Sequence, residues 1–249
     1  MKWKTMQMPE PLWEDPQTKD DISFGRFILE PMEKGYGITI GNALRRVILS
    51  SMQGAAISSV KIEGILHEFS TIDGIYEDVP EIILNLKGIR FKVDLDFPKP
   101  VRLEVEKKGE VTAEDIELPT GMQILNPNHH ICTITEKKRL VIDMELGIGK
   151  GFSAAEEHRD PALPVGAIAI DSIYSPIRKV NFRTEPARVG QKTDYDRLIF
   201  EITTDGSITP REALAMASQL LIDHITMFLH PEVELEQIEE EEVKNGETV

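Results

Sequence analysis

Side chains that could act as acids, bases or metal ligands are common in this sequence, but their spacing is not that of a reaction centre. His129 and His130 are adjacent, so in a strand they point to opposite faces and cannot share a metal ion. Asp94 and Asp96 have the spacing of a magnesium site, yet they precede a proline-containing stretch expected to form an exposed hairpin. The sequence contains neither a G-x-S-x-G elbow nor a Walker loop. We therefore expect no catalytic residue, no metal ligand and no cofactor on this chain.

One glycine pattern suggests a different chemistry. Gly35, Gly37 and Gly41 read G-x-G-x-x-x-G, close to the dinucleotide-binding fingerprint, and Glu63 lies about 20 residues further on, where a ribose-binding acid would stand. That fingerprint needs a strand running straight into the first glycine, whereas residues 30–34 contain a proline and indicate a turn. The alternating strand and helix units of such a fold do not follow either. An NAD-linked oxidoreductase is the alternative function class, which a titration with NADH would test.

The stretch that follows these glycines predicts a helix with two contrasting faces. On a helical wheel one face carries Ile40, Ala43, Leu44, Val47 and Ser51, and the opposite side carries Asn42, Arg45, Arg46 and Leu49. Arginine beside an exposed apolar residue is a frequent composition at protein interfaces, which makes the second face a candidate contact surface. An ordinary solvated face with one exposed leucine is the alternative.

Composition limits the compartment and the partners. The 249 residues are 41% hydrophobic and 29% charged, with a net charge of −15 and a single cysteine, Cys132. A lone cysteine forms no internal disulfide and suits a reducing compartment, and no apolar run has the length of a signal peptide or membrane span, so we expect a cytoplasmic protein that does not contact membranes. From Glu232 to Val249 there are eight glutamates and one lysine, which predicts a flexible acidic tail. The rest of the chain is also acidic, which argues against sequence-independent binding of nucleic acid.

The pattern of residues along the chain indicates an antiparallel β-rich fold with few helices. Strand signals fall at 22–29, 56–62, 90–95, 101–106, 131–135, 140–146, 167–170, 180–188 and 197–204. A short helix is expected with Asp78 near its start, Pro80 in its first turn and Gly88 just past its end. The run from Gly147 to Gly151 lacks the features of a phosphate loop and is expected to be a glycine turn between strands.

The last helix has the strongest local signals. Thr209 and Glu212 form a capping box with Pro210 between them, at the first helical position. The wheel then gives an apolar arc wider than half the circumference, holding Leu214, Met216, Ala217, Leu220, Leu221, Ile225, Met227 and Phe228. Such a helix must be covered on two sides, either within its own domain or by a second chain. The sequence leaves both possibilities open.

Several long motifs, in order along the chain, identify a family. The motifs are Gly41–Arg46 (GNALRR), Leu66–Gly88, Asp171–Phe182 (DSIYSPIRKVNF), and Ala187–Arg197 continued by Thr204–Glu212. Over about residues 20 to 230 the chain resembles the N-terminal domain of the bacterial RNA polymerase alpha subunit. The resemblance implies an α+β fold in which a discontinuous dimerisation domain, two helices on an antiparallel sheet, carries an inserted mainly-β domain. It assigns residues 1–54 and 179–231 to dimerisation and assembly, 55–178 to the insert, and 232–249 to the start of a linker.

The resemblance also implies a role. Alpha subunits form a homodimer that nucleates the polymerase by binding the beta and beta-prime subunits, and through them omega and sigma, without performing chemistry themselves. One protomer would meet mainly beta and the other mainly beta-prime. Alpha subunits continue beyond this linker into a DNA-binding domain that this sequence does not include, so no direct nucleic-acid binding is expected.

The family's contact residues map onto this sequence in three groups. The implied beta interface is Arg46, Leu49 and Glu81; the implied beta-prime interface is Lys87, Ile170, Ile177 and Arg197; and the implied dimer interface is Leu44, Val47, Leu221, Ile225 and Phe228.

Overall fold

The computed structural model describes residues 12–93, 100–159, 163–190 and 192–229. In chain order these ranges form β1 (Trp13–Glu14), β2 (Phe24–Glu33), α1 (Tyr36–Ser51), β3 (Gln53–Ile62), α2 (Val79–Lys87), β4 (Phe91–Val93), β5 (Pro100–Thr112), β6 (Ile116–Glu117), β7 (Met122–Ile124), β8 (His130–Lys150), β9 (Phe152–Ser153), β10 (Ile168–Ala169), β11 (Ser172–Ile173), β12 (Ile177–Val189), β13 (Lys192–Thr204) and α3 (Pro210–Thr226). The strands pair antiparallel throughout these ranges.

The first unit is a four-stranded sheet, in the order β1-β2-β13-β12, covered by two helices. Helices α1 and α3 both pack against this sheet and contact each other. The buried side chains of this core are Phe27, Met32, Ile48, Met52, Ile177, Val180, Leu198, Phe200, Ile202, Ala213, Leu214 and Ala217. The predicted α+β architecture, with two helices on an antiparallel sheet, is confirmed.

The second unit is a larger sheet in the order β6-β5-β8-β3-β4-β7, with β10 added to β3. Helix α2 packs against β8 and β3, and β9 pairs with β11 beside them. Its core is separate from the first, and its largest fully buried side chains are Ile62, Ile82, Leu86, Leu103, Ile131, Ile134, Ile142, Met144 and Leu146.

Glycines determine how closely α1 approaches its sheet. Gly35 precedes the helix with a φ of 90°, a conformation that glycine adopts without a steric penalty. A Cβ added at Gly37 would lie 2.8 Å from Cγ2 of Thr184, and one added at Gly41 would lie 2.5 Å from the ring of Phe182. The helix therefore lies closer to β12 than a residue with a side chain would allow.

The buried face of α1 is rotated relative to the face that the wheel indicated. Ile48 is fully buried, although the predicted face did not include it, whereas Leu44 and Val47 are only half-buried against the same core. The difference arises because Gly37 and Gly41 lie where α1 comes closest to β12. A helical wheel that ranks side chains by hydrophobicity gives glycine no weight, so it does not show this face.

The capping signals predicted the helix starts correctly. The Asp78 carboxylate accepts a hydrogen bond from the backbone N–H of Glu81 at 2.9 Å, and α2 ends at the residue before Gly88. At the start of α3 the Thr209 hydroxyl accepts from the Glu212 N–H at 3.2 Å, and the Glu212 carboxylate accepts from the Thr209 N–H at 2.9 Å. These contacts satisfy N–H groups that a helix leaves unpaired at its start.

Several strands are longer than the sequence indicated, and β2 and β8 differ most in kind. The turn predicted at 30–34 is wrong for all but its last residue, because β2 continues to Glu33 and the chain turns at Lys34 and Gly35. Its Glu30 and Pro31 lie opposite the single residue Arg197, a bulge that places proline in a strand without breaking the ladder. The separate strands predicted at 131–135 and 140–146 are parts of β8, whose exposed residues 135–139 lie where the pairing with β5 shifts register.

The predicted glycine turn at Gly147 to Gly151 is also wrong for most of its length. Gly147 and Gly149 lie within β8, and the turn itself is confined to Gly151, which has a φ of 62°. The ring of Tyr174 packs over both strand glycines. A side chain from a later segment, rather than a chain reversal, accounts for glycine at these two positions.

Some predictions fall outside the described residues. These are the hairpin containing Asp94 and Asp96, the acidic tail at 232–249, and the first eleven residues, which the resemblance assigned to the dimerisation domain.

Candidate protein interface

The two adjacent arginines of α1 have different surroundings. The Arg45 Nε donates a hydrogen bond to the Val180 carbonyl at 3.1 Å, so this side chain lies along β12. Arg46 and Leu49 are one helical turn apart and both are exposed, Leu49 with 39% of its surface accessible. The structure thus brings together the two α1 residues of the implied beta interface.

The outward face of α2 carries the next two implied contact residues. Glu81 is exposed in the first turn, and Lys87 in the last turn lies 3.2 Å from the Asp171 carboxylate. The Ala155 N–H, together with Lys87, lowers the pKa of Asp171. Between Glu81 and Lys87, Leu84 is 65% exposed. This leucine was not among the predicted contact residues, and its position at i+3 from Glu81 was the available signal.

Two residues of the implied beta-prime interface are buried within the chain itself. Ile170 is 3% exposed in the core of the second unit, and Ile177 is 7% exposed in the core of the first. Arg197 is 38% exposed, and its Nε lies 3.3 Å from the Glu30 carboxylate without hydrogen-bond geometry. Any contact at Ile170 or Ile177 would therefore involve the surface around them rather than their side chains.

The implied dimer residues differ in exposure. Leu44, Val47 and Leu221 are half-buried, whereas Ile225 is 55% exposed and Phe228 is 88% exposed. Further apolar side chains exposed along α3 and just after it are Met216, Ile222, Met227 and Leu229. The second half of α3 therefore presents an apolar surface that nothing in the described part of the chain covers.

The glycine pattern at the start of α1 is not arranged as a dinucleotide site. The Asp196 carboxylate already accepts from the N–H groups of Gly35 and Gly37, at 2.8 and 3.3 Å, where a phosphate would have to bind. Glu63 follows β3 in the other sheet, 3.6 Å from Arg139. A dinucleotide fold also requires parallel strands, which these sheets do not have, so the fold contradicts the oxidoreductase alternative.

A polar cluster that the sequence analysis did not identify surrounds His130. Its Nδ1 lies 2.9 Å from a Glu110 oxygen and its Nε2 lies 2.9 Å from a Glu77 oxygen. Glu77 is 5% exposed and also accepts from the Thr133 N–H at 2.6 Å. Partial burial acts to lower the pKa of His130, but the hydrogen bonds to the two carboxylates outweigh it and raise the pKa above 6.5. The His130 ring therefore joins β8 to Glu77, in the loop before α2, and to Glu110 of β5.

Neither a metal centre nor a membrane span is found in the ranges that the structure describes. There, no three histidine, cysteine or acidic side chains lie close enough together to hold a metal ion. His129 contacts the Asn85 carbonyl at 2.9 Å, separately from His130. None of the helices in these ranges is both long and apolar enough to cross a bilayer.

Comparisons with known proteins agree with the motifs. Residues 60–175 match the family model described as the RNA polymerase Rpb3/RpoA insert domain. A DNA-directed RNA polymerase subunit alpha from Symbiobacterium thermophilum is 45% identical over 96% of this chain and 77% of its own length. Subunits of the same name from Chloroherpeton thalassium and Chlorobaculum tepidum are each 48% identical, over 95% and 96% of this chain and 72% and 73% of theirs.

Proposed function

The chain belongs to the DNA-directed RNA polymerase alpha subunit family, whose role is in transcription, and from this premise we propose that it is the assembly platform of the enzyme. In this proposal two copies form a homodimer, and the dimer binds the beta subunit and then beta-prime. The chain supplies contacts to a nucleotidyltransferase complex and performs no chemistry itself. The proposed place of action is the cytoplasm, where bacterial transcription occurs.

The separate cores support different roles for the two units. The first core draws on residues 27–52 and 177–217, and the second on residues 57–170. We propose that the first unit, with 1–54 and 179–231, dimerises, and that the insert at 55–178 extends the surface offered to the large subunits. Ile177 and Arg178 belong to β12 of the first unit, so the chain returns from the insert to the first unit slightly before residue 179.

The observation that carries the proposal is the exposed pair Arg46 and Leu49 on α1, together with the exposed residues of α2. Interfaces are anchored by a few residues, often arginine, that are surrounded by apolar contacts. Arg46 and Leu49 provide this combination on the first unit, and Glu81 and Leu84 are a second pair of exposed residues, on the insert. We assign this surface to beta, and the surface around Lys87, Ile170, Ile177 and Arg197 to beta-prime.

Replacement of Arg46 by alanine tests the beta surface. We expect Arg46→Ala to leave a folded dimer and to weaken beta binding by about 2 kcal/mol or more, because a guanidinium at an interface centre can contribute that much. The measurement is co-elution with the purified beta subunit on a sizing column, followed by titration calorimetry. The matched control is Arg183→Ala, an exposed β12 arginine paired with Glu185 at 3.1 Å outside the proposed surface. Normal beta capture by Arg46→Ala would contradict the assignment.

A further inference from the structure

One aromatic side chain lies where the chain passes between the two units. The chain leaves the first core after Met52 and returns to it at Ile177. Tyr174 is 7% exposed and lies three residues before Ile177, with its carbonyl oxygen against Gly54, two residues after Met52. We propose that Tyr174 is a positioning residue that fixes the orientation of the insert relative to the first unit. The inference rests on the proposed function, because the surface assigned to beta spans both units.

Three glycines make room for this tyrosine. Gly147 and Gly149 follow each other on one face of β8, and Gly54 of β3 lies opposite Gly149 in the ladder. An added Cβ would lie 2.5 Å from the Tyr174 hydroxyl at Gly147 and 2.7 Å from the ring at Gly149, and at Gly54 it would overlap the Tyr174 carbonyl oxygen. None of the three glycines has a positive φ. Their backbone conformations do not require glycine, so the contact with Tyr174 accounts for them.

The backbone around Tyr174 is tied to both units. Its N–H donates to the Gly151 carbonyl at 2.8 Å, at the end of the long β8 strand of the insert. Two residues later, the Pro176 carbonyl accepts from the Asp205 N–H at 2.9 Å, at the end of β13 in the first unit. Arg90 of the insert also reaches this point, 3.4 Å from the Asp205 carbonyl oxygen. The ring and the N–H of Tyr174 are therefore held by the insert, and the chain is held by the first unit two residues later, at Pro176.

A fixed orientation matters because a single partner must meet both units at once. Arg46 and Leu49 lie on the first unit and Glu81 on the insert. If the units move relative to each other, binding must also restrict that motion, and affinity falls although no contact residue has changed. Tyr174→Ala removes the ring and leaves both cores in place. Tyr174→Phe keeps the ring packed on the glycines and removes only the hydroxyl, which lies 3.3 Å from His158.

The orientation is measured as a distance between spin labels, one on each unit. The labels are placed at Ala215→Cys on α3 and Lys108→Cys on β5, both exposed positions. The native Cys132 does not compete, because burial raises its pKa to about 12. Labelled chain is mixed with excess unlabelled chain, so that distances within one protomer dominate. We expect Tyr174→Ala to broaden the distance distribution and Tyr174→Phe to leave it unchanged.

Beta binding is measured on the same variants without labels. We expect Tyr174→Ala to weaken binding about tenfold, and Tyr174→Phe to bind within about twofold of the parent chain. Hydrogen exchange at Ile48 and Ile142 verifies that both cores are folded; if Tyr174→Ala loses this protection, Tyr174→Leu replaces it with the same expectations. An unchanged distance distribution, or a broader one with unchanged affinity, would overturn the positioning role. Failure of the parent chain to bind beta would instead overturn the proposed function.

Discussion

The imidazole of His130 should make stability depend on pH. Because the pKa of His130 is raised above 6.5 in the fold, its contribution is complete below pH 6.5 and is lost as the pH rises through the raised value. Glu77 behaves in the opposite sense: despite its burial, hydrogen bonds from Thr133 and His130 lower its pKa below 4.5, and its contribution is lost only as the pH falls through that lowered value. The pair therefore favours the fold most between pH 4.5 and 6.5.

Urea unfolding at a series of pH values, at one protein concentration, would measure this effect. We expect the free energy of unfolding of the parent chain to decline above pH 6.5, and His130→Gln to remove that part of the decline. The change should not exceed about 1 kcal/mol, because the His130 side chain is 38% exposed and solvent screens the pairs. His67→Gln is the control, since His67 contacts the Ser70 hydroxyl rather than a carboxylate. The same slope in His130→Gln and the parent would refute the prediction.

Individual residues were predictable when their partners were local. Asp78 and Thr209 were identified as caps because each bonds to a group three residues away. Gly147 and Gly149 were misassigned to a turn because their partner, Tyr174, belongs to a later segment. The His130 cluster was missed for the same reason, since Glu77 and Glu110 reach it from two different elements. Sequence spacing contains no information about contacts of this kind.

The packing of α1 on its sheet depends on Gly41. Alanine is a better helix former than glycine by about 1 kcal/mol, which alone would stabilise the helix. Its Cβ would, however, press against the Phe182 ring, which is itself stacked on Phe200 with ring centroids 6.2 Å apart. Overpacking of this kind costs about 1–3 kcal/mol, so we expect Gly41→Ala to lower the free energy of unfolding.

Chemical denaturation measures the effect of Gly41→Ala, and the next residue supplies the control. Asn42 is exposed on the same helix, so Asn42→Ala gains helix propensity without a collision and should be neutral or slightly stabilising. If Gly41→Ala proves as stable as Asn42→Ala, the close approach of α1 to β12 does not require glycine at position 41, and the prediction is wrong.

The environment of α3 shows what a helical wheel cannot predict. The wheel gave an apolar arc wider than half the circumference and left a central helix and a dimer helix equally open. In the structure Ala213, Leu214 and Ala217 are buried near its start, while Ile222 and Ile225 are exposed near its end. A wheel projects every turn onto one circle, so burial that changes along the axis appears as burial on several sides. The helix type and start were predictable, but the surface it leaves uncovered was not.

The architecture of the whole molecule followed from the family resemblance rather than from local patterns. Alternation predicted most strands, yet no local signal places β13 between β2 and β12, because that pairing joins the two ends of the described chain. The same topology brings α1 beside α3 and leaves the apolar end of α3 exposed. The unit that contains both ends of the described part of the chain is therefore the one with an uncovered apolar surface.

A charge on that surface should separate the copies. Ile225 and Phe228 are three residues apart and are 55% and 88% exposed, so an aspartate at either position leaves the single chain folded. In a dimer the same carboxylate would be buried without a partner, which costs several kcal/mol. By light scattering at micromolar concentration, we expect the parent chain to be a dimer and Ile225→Asp and Phe228→Asp to be monomeric. Gln123→Asp, which adds the same charge at an exposed position of β7 in the insert, should remain dimeric. If both α3 variants kept the dimer mass, the two copies would have to associate through another face.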